Sequence, residues 1–280
     1  MPYAVSADGT RIAYDATGHG PALVIVGGAL SDRRFSKFVK LAELLAGHFT
    51  AVNYDRRGRG DSGDAPSYAI EREIEDLTAV IEAVGGRASV LGFSSGAVLA
   101  ARAAAAGAPI DRMALYEPPF LVDDSRTPPA ADFLERLEAL LAEERRGDAM
   151  RQLFVEGMGM PRLIPAVMRL LPIWRRLERV AHTIPYDWTV LGDDHQGRPL
   201  RHSDWAAAAT PAIVFSGSKS PAQLRSAARA LAEALPKAEH RELAGQSHNP
   251  SNKVLAAAVI DALAPARNAT VARAAAAPAL

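Results

Sequence analysis

Short apolar runs alternate with longer amphipathic ones along most of the chain. Ala22-Leu23-Val24-Ile25-Val26 is a continuous apolar run, which fits a strand buried on both faces of a parallel sheet. Phe49 to Asn53, Ala88 to Leu91, Ile110 to Tyr116, Pro211 to Gly217 and Ala238 to Leu243 read as further strands. Helical spacing falls between them, over Phe35 to Ala46, Tyr68 to Val84, Pro221 to Leu235 and Val254 to Leu263. In the second of these, Ile70, Ile74, Leu77, Val80, Ile81 and Val84 share one face, and Gly85-Gly86 ends the run. At the start, Asp8-Gly9-Thr10 lies between Tyr3 to Ala7 and Arg11 to Asp15, a hairpin signature.

The alternation lapses between Leu121 and Ala209, where no buried strand is legible. Ala131 to Ala142 places Phe133, Leu134, Leu137, Leu140 and Leu141 on one helical face, and Leu163 to Val180 reads as helical around Pro165 and Pro172. The pattern predicts an α/β fold, a mostly parallel sheet with helices on both faces and a helical insertion after the sixth strand. The core spans 1–120 and 210–265, the insertion 121–209, and 266–280 is a low-complexity Ala/Arg tail. Met158, Met160, Met168, Trp174 and Trp188 are expected mainly to pack the insertion against the core, with a few left to line a pocket.

Composition narrows the function. Lys plus Arg and Asp plus Glu both total 32, so no charge excess points to nucleic acid or an anionic membrane surface as a partner. There is no cysteine, which excludes a thiol nucleophile, a disulfide and a thiolate-bound metal. The N-terminus lacks a basic stretch followed by an apolar core, and no run is long enough to span a bilayer, so the expectation is a cytoplasmic protein with a small-molecule substrate.

The chemistry centres on Gly92-Phe93-Ser94-Ser95-Gly96, lodged between a buried strand and the Ala-rich run to Ala106. A serine held on a sharp strand-to-helix turn needs small neighbours two residues either side, and the helix aims free N–H groups at the site. His248 follows the last short strand and is the natural base. Gly27-Gly28-Ala29, Ser94 and Glu117 all fall at strand C-terminal ends, where ligand sites of such sheets lie. Asp193-Asp194-His195 suggests a metal only if other ligands converge, and none is evident; His182, His195 and His202 are expected in exposed loops. Arg56, Arg57 and Arg59 are expected to pair within their own loop with Asp55, Asp61 and Asp64.

These residues resemble the α/β-hydrolase fold family over roughly Tyr3 to Leu263. The resemblance is carried by the elbow, by Asp55-Arg56-Arg57-Gly58-Arg59-Gly60-Asp61-Ser62, which is similar to the family's D-x-R-G-x-G-x-S loop, and by Gly245-Gln246-Ser247-His248. It implies that 121–209 is a cap, that no cofactor or metal is required, and that Ser94 is the nucleophile, with oxyanion donors at the N–H of Ser95 and of Ala29, or Gly28 if the alignment slips by one. Two departures stand out. Gly27-Gly28 replaces the family's His-Gly, and Phe215-Ser216-Gly217-Ser218-Lys219-Ser220-Pro221 carries no acid after the seventh strand. Some members, including several haloalkane dehalogenases, place the acid after the sixth strand, and Glu117 matches that place, with Asp123 and Asp124 as rivals. The expected activity is a serine hydrolase cleaving an ester, lactone or thioester of a small hydrophobic substrate. A small-molecule binding protein, or an acyltransfer or cyclisation enzyme on a modified triad, is the alternative that the missing acid raises.

Overall fold

Eight strands form one sheet in the order β1-β2-β4-β3-β5-β6-β7-β8. The computed structural model describes residues 2–264, so the tail at 266–280 lies outside the described residues. Strands β1 (Tyr3–Val5) and β2 (Arg11–Thr17) make the hairpin, and β2 pairs antiparallel with β4 (Thr50–Tyr54). From β4 onward every pairing is parallel, through β3 (Ala22–Val26), β5 (Ala88–Phe93), β6 (Ile110–Tyr116), β7 (Ala212–Gly217) and β8 (Ala238–Leu243). All six residues of β5 are buried, as a central strand covered on both faces requires.

The helices divide between the two faces. On one, α1 (Ser36–Leu45) and α11 (Asn252–Leu263) pack Phe38, Leu41, Leu45, Leu255 and Val259 against Leu23, Ile25, Leu91 and Phe215. On the other lie α2 (Ile70–Ala83), α3 (Ser95–Ala105) and α10 (Ala222–Ala234). Helix α10 starts at Ala222, one residue after the Pro221 start that the spacing predicts, and leaves Pro221 in the N-cap position. Helix α3 is buried nearly all round, because the sheet lies under it and the insertion covers its other side. Its alanines let those layers approach closely.

The insertion between β6 and β7 is helical: α4 (Phe133–Ala142), α5 (Arg146–Gln152), α6 (Leu163–Met168), α7 (Pro172–Arg179), α8 (Ile184–Leu191) and α9 (His202–Trp205). Residues 163–180 are two helices and not one. Pro172 cannot supply the N–H that a continuous helix needs, so it opens α7 instead. Helix α5 runs on into a π-helical turn at Leu153–Gly157. Trp174 and Trp188 are buried as expected, whereas Met158 stays 42% exposed. Among the described residues no helix is long and apolar enough to cross a membrane.

Candidate active site

Ser94 sits between β5 and α3 with φ +57° and ψ −125°, a backbone conformation costly for a residue with a Cβ. Two features hold it there. The Ser94 N–H donates to the Tyr116 carbonyl at 2.9 Å, and the chain closes so tightly that only glycine fits at its flanks. A Cβ on Gly96 would come within 2.2 Å of the Val26 carbonyl oxygen, and one on Gly92 within 2.5 Å of the Ala97 Cα. The G-x-S-x-G spacing is therefore a packing requirement at this turn. Ser95 opens α3, so its N–H belongs to the helix's unsatisfied first turn.

Glu117 comes directly after β6, also at positive φ (+47°), and is fully buried. Its Oε2 lies 2.7 Å from His248 Nδ1, and its Oε1 accepts the Gly217 N–H at 2.6 Å. The rivals do not meet the histidine: Asp123 accepts the Ser125 N–H within its own turn, and Asp124 is exposed. The His248 ring packs 5.4 Å from the Phe93 ring, on the residue before Ser94. Ser94, Ser95, Ala29 and His248 line one cavity, of about 730 Å³ counting its mouth.

Gly28 abuts the elbow, since a Cβ there would come within 2.9 Å of Ser94 Cβ. Its carbonyl accepts from Ser31 Oγ at 2.7 Å and Arg59 Nη1 at 2.8 Å. In a trans peptide the C=O and the following N–H point opposite ways, so fixing the Gly28 carbonyl also fixes the direction of the Ala29 N–H.

The arginine-rich loop is buried, not a solvated surface, and its partners are not those expected. Arg56 pairs with Glu73 and Asp187, Arg57 with Asp76 and Asp8, and Arg59 with Asp187. Asp55 and Asp61 turn instead to Arg33. Burial alone explains the difference: guanidiniums that leave water need acids that leave it too, and the inward face of α2 supplies Glu73 and Asp76. Asp187, on α8, is the acid that sequence reasoning missed. It accepts from Arg56 and Arg59 at 2.6 Å each and from Ser95 Oγ at 2.7 Å. Burial works to raise its carboxyl, but Arg59, Arg56 and the Ser95 hydroxyl outweigh it and hold the group below the usual range. The only signal in the sequence is an acid flanked by the apolar residues of 184–191.

His195 is a second correction. It does not sit in an exposed loop but lines the cavity, its ring 4.3 Å from that of Trp188, and burial lowers its pKa. His202 is exposed, as expected, and His182 is half-buried. Asp194 lies 3.5 Å from Arg102, and among the described residues no three His, Asp or Glu side chains are grouped to hold a metal ion.

A mostly parallel sheet covered on both faces, a strained serine after its central strand and a carboxylate-paired histidine in the same cavity as that serine define an α/β-hydrolase. Residues 22–258 match the family described as the alpha/beta hydrolase family, and the chain belongs to it. The chain is 48% identical to an alpha/beta hydrolase from Sphaerobacter thermophilus, covering 93% of this chain and 99% of that one with a TM-score of 0.86. The enol-lactonase from Burkholderia xenovorans shares the fold at 24% identity, with 93% and 98% covered and a TM-score of 0.66. N-formylmaleamate deformylase from Pseudomonas putida is 39% identical over 122 residues, 41% of this chain and 44% of that protein. The chain spans less than half the length of the curated relatives it matches.

Proposed function

We propose that this protein is a cytoplasmic serine hydrolase that cleaves an ester, lactone or thioester of a small hydrophobic substrate through an acyl-enzyme. Ser94 attacks the carbonyl carbon and His248 takes its proton through Nε2. Glu117, on Nδ1, fixes the tautomer and balances the imidazolium that forms. The N–H groups of Ala29 and Ser95 receive the oxyanion, each contributing about 3 kcal/mol in comparable sites. His248 then protonates the leaving alcohol or thiol. Water, deprotonated by the same ring, attacks the acyl-enzyme and releases Ser94. No step calls for a cofactor.

The observation that carries this reading is the 2.7 Å contact between Glu117 and His248. It supplies the carboxylate that the segment after β7 lacks. Leu153, Met158, Ile184, Trp188, Leu191 and Leu224 line the cavity, and they favour an apolar acyl or alcohol part.

The test is labelling with a fluorophosphonate, followed by peptide mapping. The reading expects one label, on Ser94, absent from Ser94→Ala and His248→Ala. A folded wild-type protein that takes no label, yet binds a small ligand without turning it over, would instead support a binding protein with a retired site.

A further inference from the structure

Among the apolar residues of this cavity lies a positive charge that the reaction above does not use. Arg126, between β6 and α4, is half-buried and lines the same cavity as Ser94 and His248. Its three hydrogen bonds all go to neutral oxygens. Nε donates to Gln223 Oε1 at 3.1 Å, Nη1 to the Glu156 carbonyl at 2.9 Å and Nη2 to the Gly157 carbonyl at 2.9 Å. Those two carbonyls close the π-helical turn, which leaves them without partners in the helix. The carboxylate of Glu156 is turned away, onto Arg136. Among the described residues no carboxylate pairs with Arg126, and burial lowers its pKa with nothing raising it in return.

The other charges on the wall are balanced. Asp187 faces two guanidiniums and His248 faces Glu117. Arg126 alone is half out of water without a counter-ion, an arrangement that costs stability in the empty site. A guanidinium has five N–H donors, and three are used. One remains on each of Nη1 and Nη2, and either can make a charge-assisted hydrogen bond to a carboxylate. The neutral acceptors hold the group in place without neutralising it.

We infer that the substrate carries a carboxylate and that Arg126 binds it. The inference rests on the hydrolase reading of this cavity, and names its substrate class: an ester, lactone or thioester with a free acid group separated from the reacting carbonyl by an apolar segment.

The test has a binding arm and a turnover arm. In the first, wild-type protein is titrated calorimetrically with adipate and with adipamide, which has the same length and no charge. Adipate is expected to bind at least 30-fold tighter, and the difference to fall below 3-fold in Arg126→Gln. In the second, the ratio of kcat/KM for mono(4-nitrophenyl) adipate to that for 4-nitrophenyl hexanoate is expected to drop at least 30-fold from wild type to Arg126→Gln. Equal binding of adipate and adipamide by wild type, or a preference that survives in folded Arg126→Gln, overturns the inference. Should that variant not fold, Arg126→Met, uncharged and of similar length, takes its place in both arms, and equal binding of the two probes by wild type still overturns the inference. Binding needs no turnover. Adipate selectivity without labelling at Ser94 would sink only the hydrolase reading, and labelling without selectivity only this one.

Discussion

The Glu117 carboxylate bridges His248 Nδ1 and the Gly217 backbone N–H, at 2.7 and 2.6 Å. One acid thereby orients the histidine and ties the end of β6 to the end of β7. Glu117→Gln should separate these roles. A glutamine oxygen still accepts the Gly217 N–H, so the fold is kept. Its amide then donates to Nδ1, which puts the imidazole proton on Nε2, the nitrogen that has to receive one from Ser94. The expected result is a fall in kcat of about 10³-fold with little change in KM, from the wrong tautomer and the lost charge. Thermal melting should stay close to wild type. Unchanged kcat in a stopped assay with 4-nitrophenyl hexanoate would remove Glu117 from the triad.

Gly217 occupies the stretch where a carboxylate is usual in this family, and packing explains why it is a glycine. A Cβ there would come within 2.5 Å of the Gln246 carbonyl oxygen and 2.9 Å of the Ser247 nitrogen, both backbone atoms. Those residues lead directly into His248. Gly217→Ala should cost about 1–3 kcal/mol from overpacking and displace the histidine loop. A lower urea midpoint together with a lower kcat checks this; a variant with wild-type values for both would show that the loop yields freely.

The elements of the core were legible because burial on both faces leaves an unmistakable run such as Ala22 to Val26, and because Gly92 and Gly96 answer a local steric demand. The meeting of Glu117 with His248, which shares a cavity with Ser94, could be read from strand ends and chain order. The ion pairs could not. Arg56 finds Glu73 and Asp187, which lie 17 and 131 positions away, and no local spacing signals such a partner. Glu73 and Asp76 also sit on the inward side of α2, where a simple amphipathic reading assigns charge to solvent. Arg126 and His195 line the cavity only because the insertion folds over the sheet edge.

Lys37, on α1, grips the other side of the histidine loop. Its ammonium donates to Asn249 Oδ1 at 2.9 Å and the Pro250 carbonyl at 2.7 Å, while its own carbonyl accepts from Asn252 Nδ2 at 2.8 Å. Burial pushes its pKa down to about 8 from 10.5. The unfolded chain therefore binds this proton more tightly, and between those two values the folded state gains stability as pH rises. The stability difference, wild type minus Lys37→Met, should increase by about 1 kcal/mol from pH 7.5 to 10, less than the full shift implies because solvent screens a half-exposed ammonium. Urea melts of both proteins across that range measure it. A flat or falling difference would show that Lys37 keeps its proton as readily folded as unfolded. At pH 7 the same substitution should lower kcat several-fold by loosening the loop after His248.

Asp187 ties the cap to the Gly28–Ala29 peptide, the proposed oxyanion loop, through Arg59. The guanidinium donates to Asp187 Oδ2 at 2.6 Å, to Thr183 Oγ1 at 3.0 Å and to the Gly28 carbonyl at 2.8 Å, so one side chain spans the two layers. Asp187→Asn leaves Arg59 buried with only neutral partners, whereas Arg56 keeps Glu73. The expected cost is about 3 kcal/mol, a fall in Tm of roughly 6–10 °C for a domain of this size. Arg59 would then drift, and the Gly28–Ala29 peptide with it, so kcat should drop by more than a factor of ten while KM moves less. Asp187→Ala should be worse in Tm, because it adds a void to the unpaired charge. If Asp187→Asn melts as wild type does but loses activity, the carboxylate acts through Ser95 alone. If it loses stability and keeps full kcat, the cap and the oxyanion loop are mechanically independent, and Arg59 is held by its carbonyl contacts without help from the insertion.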